Sequence, residues 1–346
     1  MRTRTDNLEI VSANFQKEDV EIRPNNLNDF LGQKKIKANL STYIQAAKIK
    51  EIALDHVLFS GPPGLGKTTL ARILASEMGS GFHQLAAPNI NRPGDLAKIL
   101  TTISLNDILF IDEIHRLNTQ VEEVLYSAME DFRLDIAISE GMGASAVKIE
   151  LPRFTLVAAT TRPGSLTGPL RDRFGIQERL EFYTNEELTF IILRACKLWS
   201  FDIDKKALEV IAQRSRSTPR IALRLLRRVS DFALVWAKEN LTKINFIGGE
   251  NVIAAFEQLE IDDSGLTSLD RELLTVIAKS YHGGPVGLKP LAAILSEDVI
   301  TLEDFIEPFL VKSGYLLRTS RGRMLSETGY EKINISKQNK EQDKLF

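Results

Sequence analysis

The sequence predicts an α/β domain built on a parallel sheet, followed by a small all-helical domain and a C-terminal winged helix. Three observations carry this. Over the first half, short apolar runs alternate with helical patterns, the signature of strand and helix layers packed together. After about Asn185 the strand-like runs stop and amphipathic helical patterns take over. Beyond Asp262-Asp263-Ser264-Gly265, three more helical patterns end in two β-like runs around Thr319-Ser320-Arg321-Gly322, a hairpin turn. The expected domains are residues 1–183, 184–254 and 257–334, with a polar tail over 335–346 that is expected to be disordered.

The elements follow in order. His56 to Ser60, Asp107 to Asp112 and Phe154 to Thr160 are continuously apolar rather than alternating, as expected of strands covered on both faces. Lys67 to Met78 places Leu70, Ile73, Leu74 and Met78 on one helical face. Leu134 to Ile138 and Ala146 to Glu150 flank Gly141-Met142-Gly143 and predict a hairpin over about 133–150. Helices are expected at Glu186 to Leu198, with Thr184 or Asn185 as cap, then at Lys205 to Arg214, Pro219 to Lys238 and Gly249 to Leu259. The last unit should carry helices at Leu269 to Lys279, Leu288 to Leu295 and Leu302 to Phe309, with strands at Tyr315 to Arg318 and Arg323 to Leu325.

The 346 residues are 43% hydrophobic and 26% charged, which excludes a wholly disordered chain and a small disulfide scaffold. The one cysteine, Cys196, cannot form an internal disulfide and is expected to be a buried thiol. No run approaches the length of a membrane span and the first residues lack a leader pattern, so the expectation is a cytoplasmic protein without a membrane partner. With 44 basic against 46 acidic side chains the total charge does not announce a nucleic-acid binder; any such contact must come from a local patch.

Gly61-Pro62-Pro63-Gly64-Leu65-Gly66-Lys67-Thr68 fits the phosphate-binding loop pattern, and it lies between a buried strand and a helix as that mechanism requires. Glycines let backbone amides reach phosphate oxygens, Lys67 neutralises their charge, and the Thr68 hydroxyl can ligate Mg²⁺. Asp112 and Glu113 end the second apolar strand, at the sheet edge where α/β folds bind ligands. Asp112 is expected to hold Mg²⁺ through water and Glu113 to polarise the attacking water; the alternative is that the pair merely caps the next helix. Thr161 follows the third strand beside the same crevice, and Arg171 and Arg173 offer cations that can reach a neighbouring copy's γ-phosphate or pair locally with Asp172.

Together these segments resemble the AAA+ ATPases. The likeness narrows to the RuvB family through Ile22-Arg23-Pro24, Phe30-Leu31-Gly32-Gln33, Asp112 to Leu117, Met129 to Phe132, Ala159 to Gly164, Arg173-Phe174-Gly175, Thr218 to Ala222, Gly283 to Gly287 and Arg318 to Arg323. Two departures, Ala159 where that family usually has Gly and Leu223 where Asn is common, remove no charge or hydroxyl from the site. The resemblance implies ATP and Mg²⁺ as cofactors. It places Ile22, Arg23 and Tyr183 around adenine with the Glu130-Asp131-Phe132 backbone nearby, and gives Gly64, Gly66, Lys67, Thr68 and Thr69 to the phosphates and metal. Thr161 becomes the first sensor, Arg173 the finger acting in trans, and Arg220 a second sensor carried by the helical domain. It further implies a homo-hexameric ring on duplex DNA at Holliday junctions, working with RuvC in junction resolution and with RuvA docked on the hairpin at 133–150 through Ile136, Ile138, Met142 and Val147. A hairpin packed only on its own domain is the alternative.

For DNA, Arg214 to Arg228 contains six arginines and no acid. Their long stems can instead cover core edges or pair with acids, and that reading is preferred. From Glu257 onward there are 11 basic and 15 acidic residues, yet Lys312 to Ser326 has Lys312, Arg318, Arg321 and Arg323 and no acid, a basic wing on an acidic body. Such a wing tracks phosphates without reading bases. The resemblance makes Arg318 and Arg323 the duplex contacts. A clamp-loader-like switch shares the phosphate loop and finger but has no need of the wing, and a nucleotide-gated scaffold has no need of Glu113 or Arg173.

Overall fold

The computed structural model describes residues 22–137, 146–240 and 245–335, in two compact units that part between Tyr183 and Thr184. The first unit runs α1 (Lys34–Lys50), β1 (Val57–Ser60), α2 (Lys67–Met78), β2 (Phe82–Ala86), α3 (Pro93–Leu100), β3 (Ile108–Asp112), α4 (Thr119–Glu130), β4 (Arg133–Ala137), β5 (Ala146–Glu150), β6 (Thr155–Thr160), α5 (Gly168–Asp172) and β7 (Ile176–Arg179). Five strands form a parallel sheet in the order β2-β3-β6-β1-β7. The predicted strands are its three central ones. Edge strand β2 has no buried residue and β7 only Ile176, and both include polar side chains, so neither carries a continuous apolar run. One face of the sheet is sealed by a core that includes Leu96, Leu100, Val121, Leu125 and Phe154.

Both predicted strand starts at His56 and Asp107 move in by one residue, where the side chains accept the Leu156 and Gly81 amides while the backbone carbonyls still pair with Ile176 and Thr155. His56 Nδ1 accepts the Leu156 amide at 2.9 Å and its Nε2 lies 3.1 Å from the Met129 carbonyl, so Nε2 carries the proton and the buried ring is neutral. Burial pushes its pKa down, against weaker pulls from the Met129 carbonyl and Asp55. The depressed value means that the unfolded chain binds a proton that the folded one refuses as pH falls below about 6.5, so His56 destabilises the fold on the acid side of that value. Denaturant midpoints measured from pH 7 to 5 should fall, and His56→Gln, less stable at pH 7, should show a shallower fall.

The second unit begins with α6 (Asn185–Leu198), capped reciprocally by Thr184 and Glu187. It continues through β8 (Asp202–Ile203), α7 (Lys205–Arg214), α8 (Pro219–Glu239), β9 (Phe246–Ile247) and α9 (Gly249–Gln258). The helix α9 runs past the expected domain end at residue 254 to Gln258, burying Ala255 and Phe256 as it packs on α7 and α8. Cys196 is buried, and desolvation raises its pKa to about 12, so it is an inert structural thiol.

Most of the arginine-rich run braces this unit. Arg214 lies over the Phe256 ring at 4.8 Å and Arg227 over Trp199 at 5.5 Å, while Arg228 pairs with Asp231. Arg216, in the left-handed conformation (φ 49°), is the deepest. It donates from Nε to the Gly265 carbonyl at 3.0 Å and forks onto the fully buried Asp270, with its guanidinium over Phe309. The turn before α8 is thereby clamped to the start of the next helix.

That helix, α10 (Ser268–Ser280), opens the winged helix, followed by α11 (Leu288–Leu295), α12 (Val299–Thr301), a π turn (Leu302–Ile306), α13 (Glu307–Lys312), β10 (Leu316–Thr319), β11 (Gly322–Leu325) and α14 (Glu327–Lys332). The helix expected at Leu302 to Phe309 is longer and interrupted; Pro308 has no amide to donate back into the ladder, and the turn before it widens. Val286 bridges Arg323 and gives the wing a third short edge. Residues 336–346, most of the predicted tail, lie outside the described residues. No helix among the described residues is long and apolar enough to cross a membrane.

Candidate nucleotide site and wing

The loop from Gly61 to Gly66 leaves the carboxyl end of β1 and turns into α2. Gly61 (φ 136°) and Gly66 (φ 103°) hold conformations that side chains rarely adopt; a Cβ on Gly61 would come within 2.7 Å of the Leu180 carbonyl, and one on Gly66 within 3.0 Å of the Phe30 ring. Tyr183 closes the loop from behind, donating to the Leu65 carbonyl at 3.2 Å. Phe30 is thus a buried support that the sequence quoted only as part of a motif. Lys67 is 7% exposed, and its ammonium donates to the Gly61 and Pro62 carbonyls at 2.7 and 3.0 Å. Gly64, Thr68 and Thr69 complete the loop and first turn, where amides and helix dipole favour an anion. Ile22 is half-buried and Arg23 exposed at the start of the described chain.

Asp112 and Thr160 end β3 and β6 at the same sheet edge, where Gly61 donates its amide to the Thr160 carbonyl. Glu113 is left-handed (φ 53°), a strain of about 1 kcal/mol or more that clusters at functional positions. Its Oε2 accepts the Thr161 hydroxyl at 3.1 Å and lies 3.2 Å from His115 Nδ1, which is itself 3.0 Å from Thr160 Oγ1. The water-polarising candidate and the first-sensor candidate are therefore in direct contact. His115 is a third member that sequence reasoning passed over; its position in the Asp112 to Leu117 motif was the available signal. Thr68 and Asp112 offer one hydroxyl and one carboxylate, a donor set that suits Mg²⁺, which keeps several waters and takes its other ligands from phosphate.

Arg173 is elsewhere. It caps α5 just before β7, at the amino edge of a sheet whose carboxyl edge carries the phosphate loop. Its guanidinium donates to the Pro169 carbonyl at 2.6 Å, pairs with Glu130 at 3.0 Å and lies 4.4 Å over the Tyr126 ring, while its Nε is buried without a partner among the described residues. Glu130-Asp131-Phe132, which the resemblance places near adenine, lies toward the amino end of the sheet in this chain. Met129 meets His56 at the amino end of β1, and Phe132 packs edge-on against Phe154. The length of β1, about 13 Å at strand rise, separates this group from the loop. Glu130 shares a face with Arg173 instead.

Arg220 belongs to the second unit, exposed in the first turn of α8, where Pro219 fixes the helix start. In the hairpin expected at 133–150, β4 and β5 pair antiparallel from Arg133↔Glu150 to Ala137↔Ala146. Its tip, with Ile138 and Met142, lies outside the described residues, as do the side chains of Ile136 and Val147. On the wing, Arg318 and Arg323 face each other across the strand pair, with Lys312 and Arg321 exposed nearby.

Three family models match in succession: the Holliday junction DNA helicase RuvB P-loop domain over residues 22–180, the RuvB AAA lid domain over 183–262 and the RuvB C-terminal winged helix domain over 263–334. A point mutant of Thermotoga maritima RuvB is 47% identical with a TM-score of 0.83, over 91% of this chain and 99% of its own. The structure described as the Thermotoga maritima RuvB Holliday junction branch migration motor is 46% identical with a TM-score of 0.82, over the same shares. With a phosphate loop, an acidic strand end and a basic wing in the order that those matches span, this chain belongs to the RuvB family of P-loop AAA+ ATPases.

Proposed function

We propose that the chain is the ATP-driven motor of Holliday junction branch migration, hydrolysing Mg²⁺-ATP between neighbouring copies of a homo-hexameric ring and pumping duplex DNA held by the wings. One observation carries the hydrolytic part: Lys67, Asp112, Glu113 and Thr161 gather at one edge of the sheet and Arg173 at the other, so Arg173 can reach only the γ-phosphate held by a second copy. Glu130 and its neighbours then flank the nucleotide of the adjoining chain. Arg220 reads the same phosphate from the lid, so that the lid angle follows the nucleotide state. RuvA docks on the hairpin at 133–150, and RuvC joins for resolution of the junction in the cytoplasm.

The test is migration of a synthetic four-way junction. ATP with RuvA should separate the junction into duplex products, and omission of either should reduce the rate to background. A chain that hydrolyses ATP but leaves the junction intact with RuvA present contradicts the motor reading.

A further inference from the structure

Between Lys312 and Ser326 the sequence contains no acid, but the fold brings one. Glu307, released by the π turn and 1% exposed, points its carboxylate under the wing from α13. Its Oε1 accepts Arg318 Nε at 2.8 Å and Arg323 Nε at 3.0 Å, and its Oε2 accepts a terminal nitrogen of Arg323 at 3.0 Å. Directly opposed like charges on paired strands repel, and Arg318 and Arg323 are directly opposed; the carboxylate between them removes the conflict. The two arginines are not equivalent. Arg323 forks onto Glu307 with two nitrogens and its side chain is 16% exposed, whereas Arg318 engages by Nε and is 54% exposed. A terminal nitrogen of Arg318 lies 4.0 Å from Glu303, a loose contact that a phosphate can displace.

We infer that Glu307 is the positioning residue of the wing's phosphate contacts: it fixes Arg318 by Nε so that the outer guanidinium nitrogens meet a duplex phosphate, and it braces Arg323 across the strand pair beside it. This rests on the reading of the wing as the duplex contact. Burial alone would push the Glu307 carboxyl up, but the hydrogen bonds from Arg318 and Arg323 hold it below the usual carboxylate range, so the clamp is charged at neutral pH.

The experiment measures binding of a short labelled duplex to the full chain by fluorescence anisotropy across a salt series. Charge alone predicts that Glu307→Gln, which removes an acid from a DNA-binding face, tightens binding. Positioning predicts the opposite: weakening by up to about eightfold at 0.1 M salt, the counterion-release value of one phosphate, with the slope of log K on log salt reduced by about one. Glu307→Asp keeps the charge but withdraws it by one methylene, and should weaken binding even if the Gln variant does not fold. In a background carrying both Arg318→Ala and Arg323→Ala neither substitution should weaken binding further. Wild-type or tighter binding by both Glu307 variants overturns the inference, as does weakening that persists without the two arginines. Unchanged binding by Arg318→Ala alone overturns the wing reading itself, and this inference with it.

Discussion

Arg173→Ala chains and Lys67→Ala chains, each expected to lose about a thousandfold or more in ATP turnover alone, should recover activity when mixed. The first keeps an intact phosphate loop and the second an intact finger. Because these groups occupy opposite edges of the sheet, a working site forms wherever the loop of one faces the finger of the other. In an equal, random head-to-tail mixture about a quarter of interfaces have that composition, so recovery should approach a quarter of the unmodified rate if interfaces act independently. Turnover measured against mixing ratio should peak near equal amounts. A flat profile at the level of the single variants would show that Arg173 serves its own chain or serves structure alone. The finger must also leave Glu130 and Tyr126 to reach a neighbour, so Glu130 is the residue most able to tune its availability.

Glu113→Gln should bind ATP with near-normal affinity and lose about a hundred- to a thousandfold in kcat. The substitution leaves a hydrogen-bond acceptor for Thr161 but removes the negative charge that polarises water and pairs with His115. Single-turnover hydrolysis alongside nucleotide binding separates the two effects. A wild-type rate would return Asp112-Glu113 to the role of a helix cap, and a loss of ATP binding equal to the loss of turnover would indicate damage to the loop. Thr161→Val, which deletes the hydroxyl and nearly keeps the shape, tests the same contact from the other side.

Much of the fold was legible because its signals are local. The helices at Lys67 to Met78, Lys205 to Arg214 and Leu288 to Leu295 start and stop where their apolar spacing predicts. The central strands were legible as apolar runs; β2 and β7 were not, since an edge strand needs polar residues on its open side. The phosphate loop is contiguous and could be read directly, as could the acids of β3. What escaped depends on residues distant in the chain: Phe30 behind Gly66, Glu307 beneath the wing, and the placement of Glu130 with Arg173. A sequence resemblance names a nucleotide contact without saying which copy's nucleotide it touches. The arginine run from Arg214 to Arg228 shows the converse hazard, for a stripe that looks made for phosphate is largely spent on Phe256, Trp199 and Asp270.

The clamp of Arg216 on Asp270 makes the connection between lid and winged helix stiff. A flexible tether would dissipate a rotation of α8 as thermal slack before it reached the wing. Removing one partner of a buried ion pair costs about 3–5 kcal/mol, so Arg216→Ala should destabilise this unit by about that amount in denaturant unfolding. Arg220, four positions further on, lies on α8 just beyond that joint. A rotation of α8 is therefore carried into the start of α10 rather than absorbed by the turn between them.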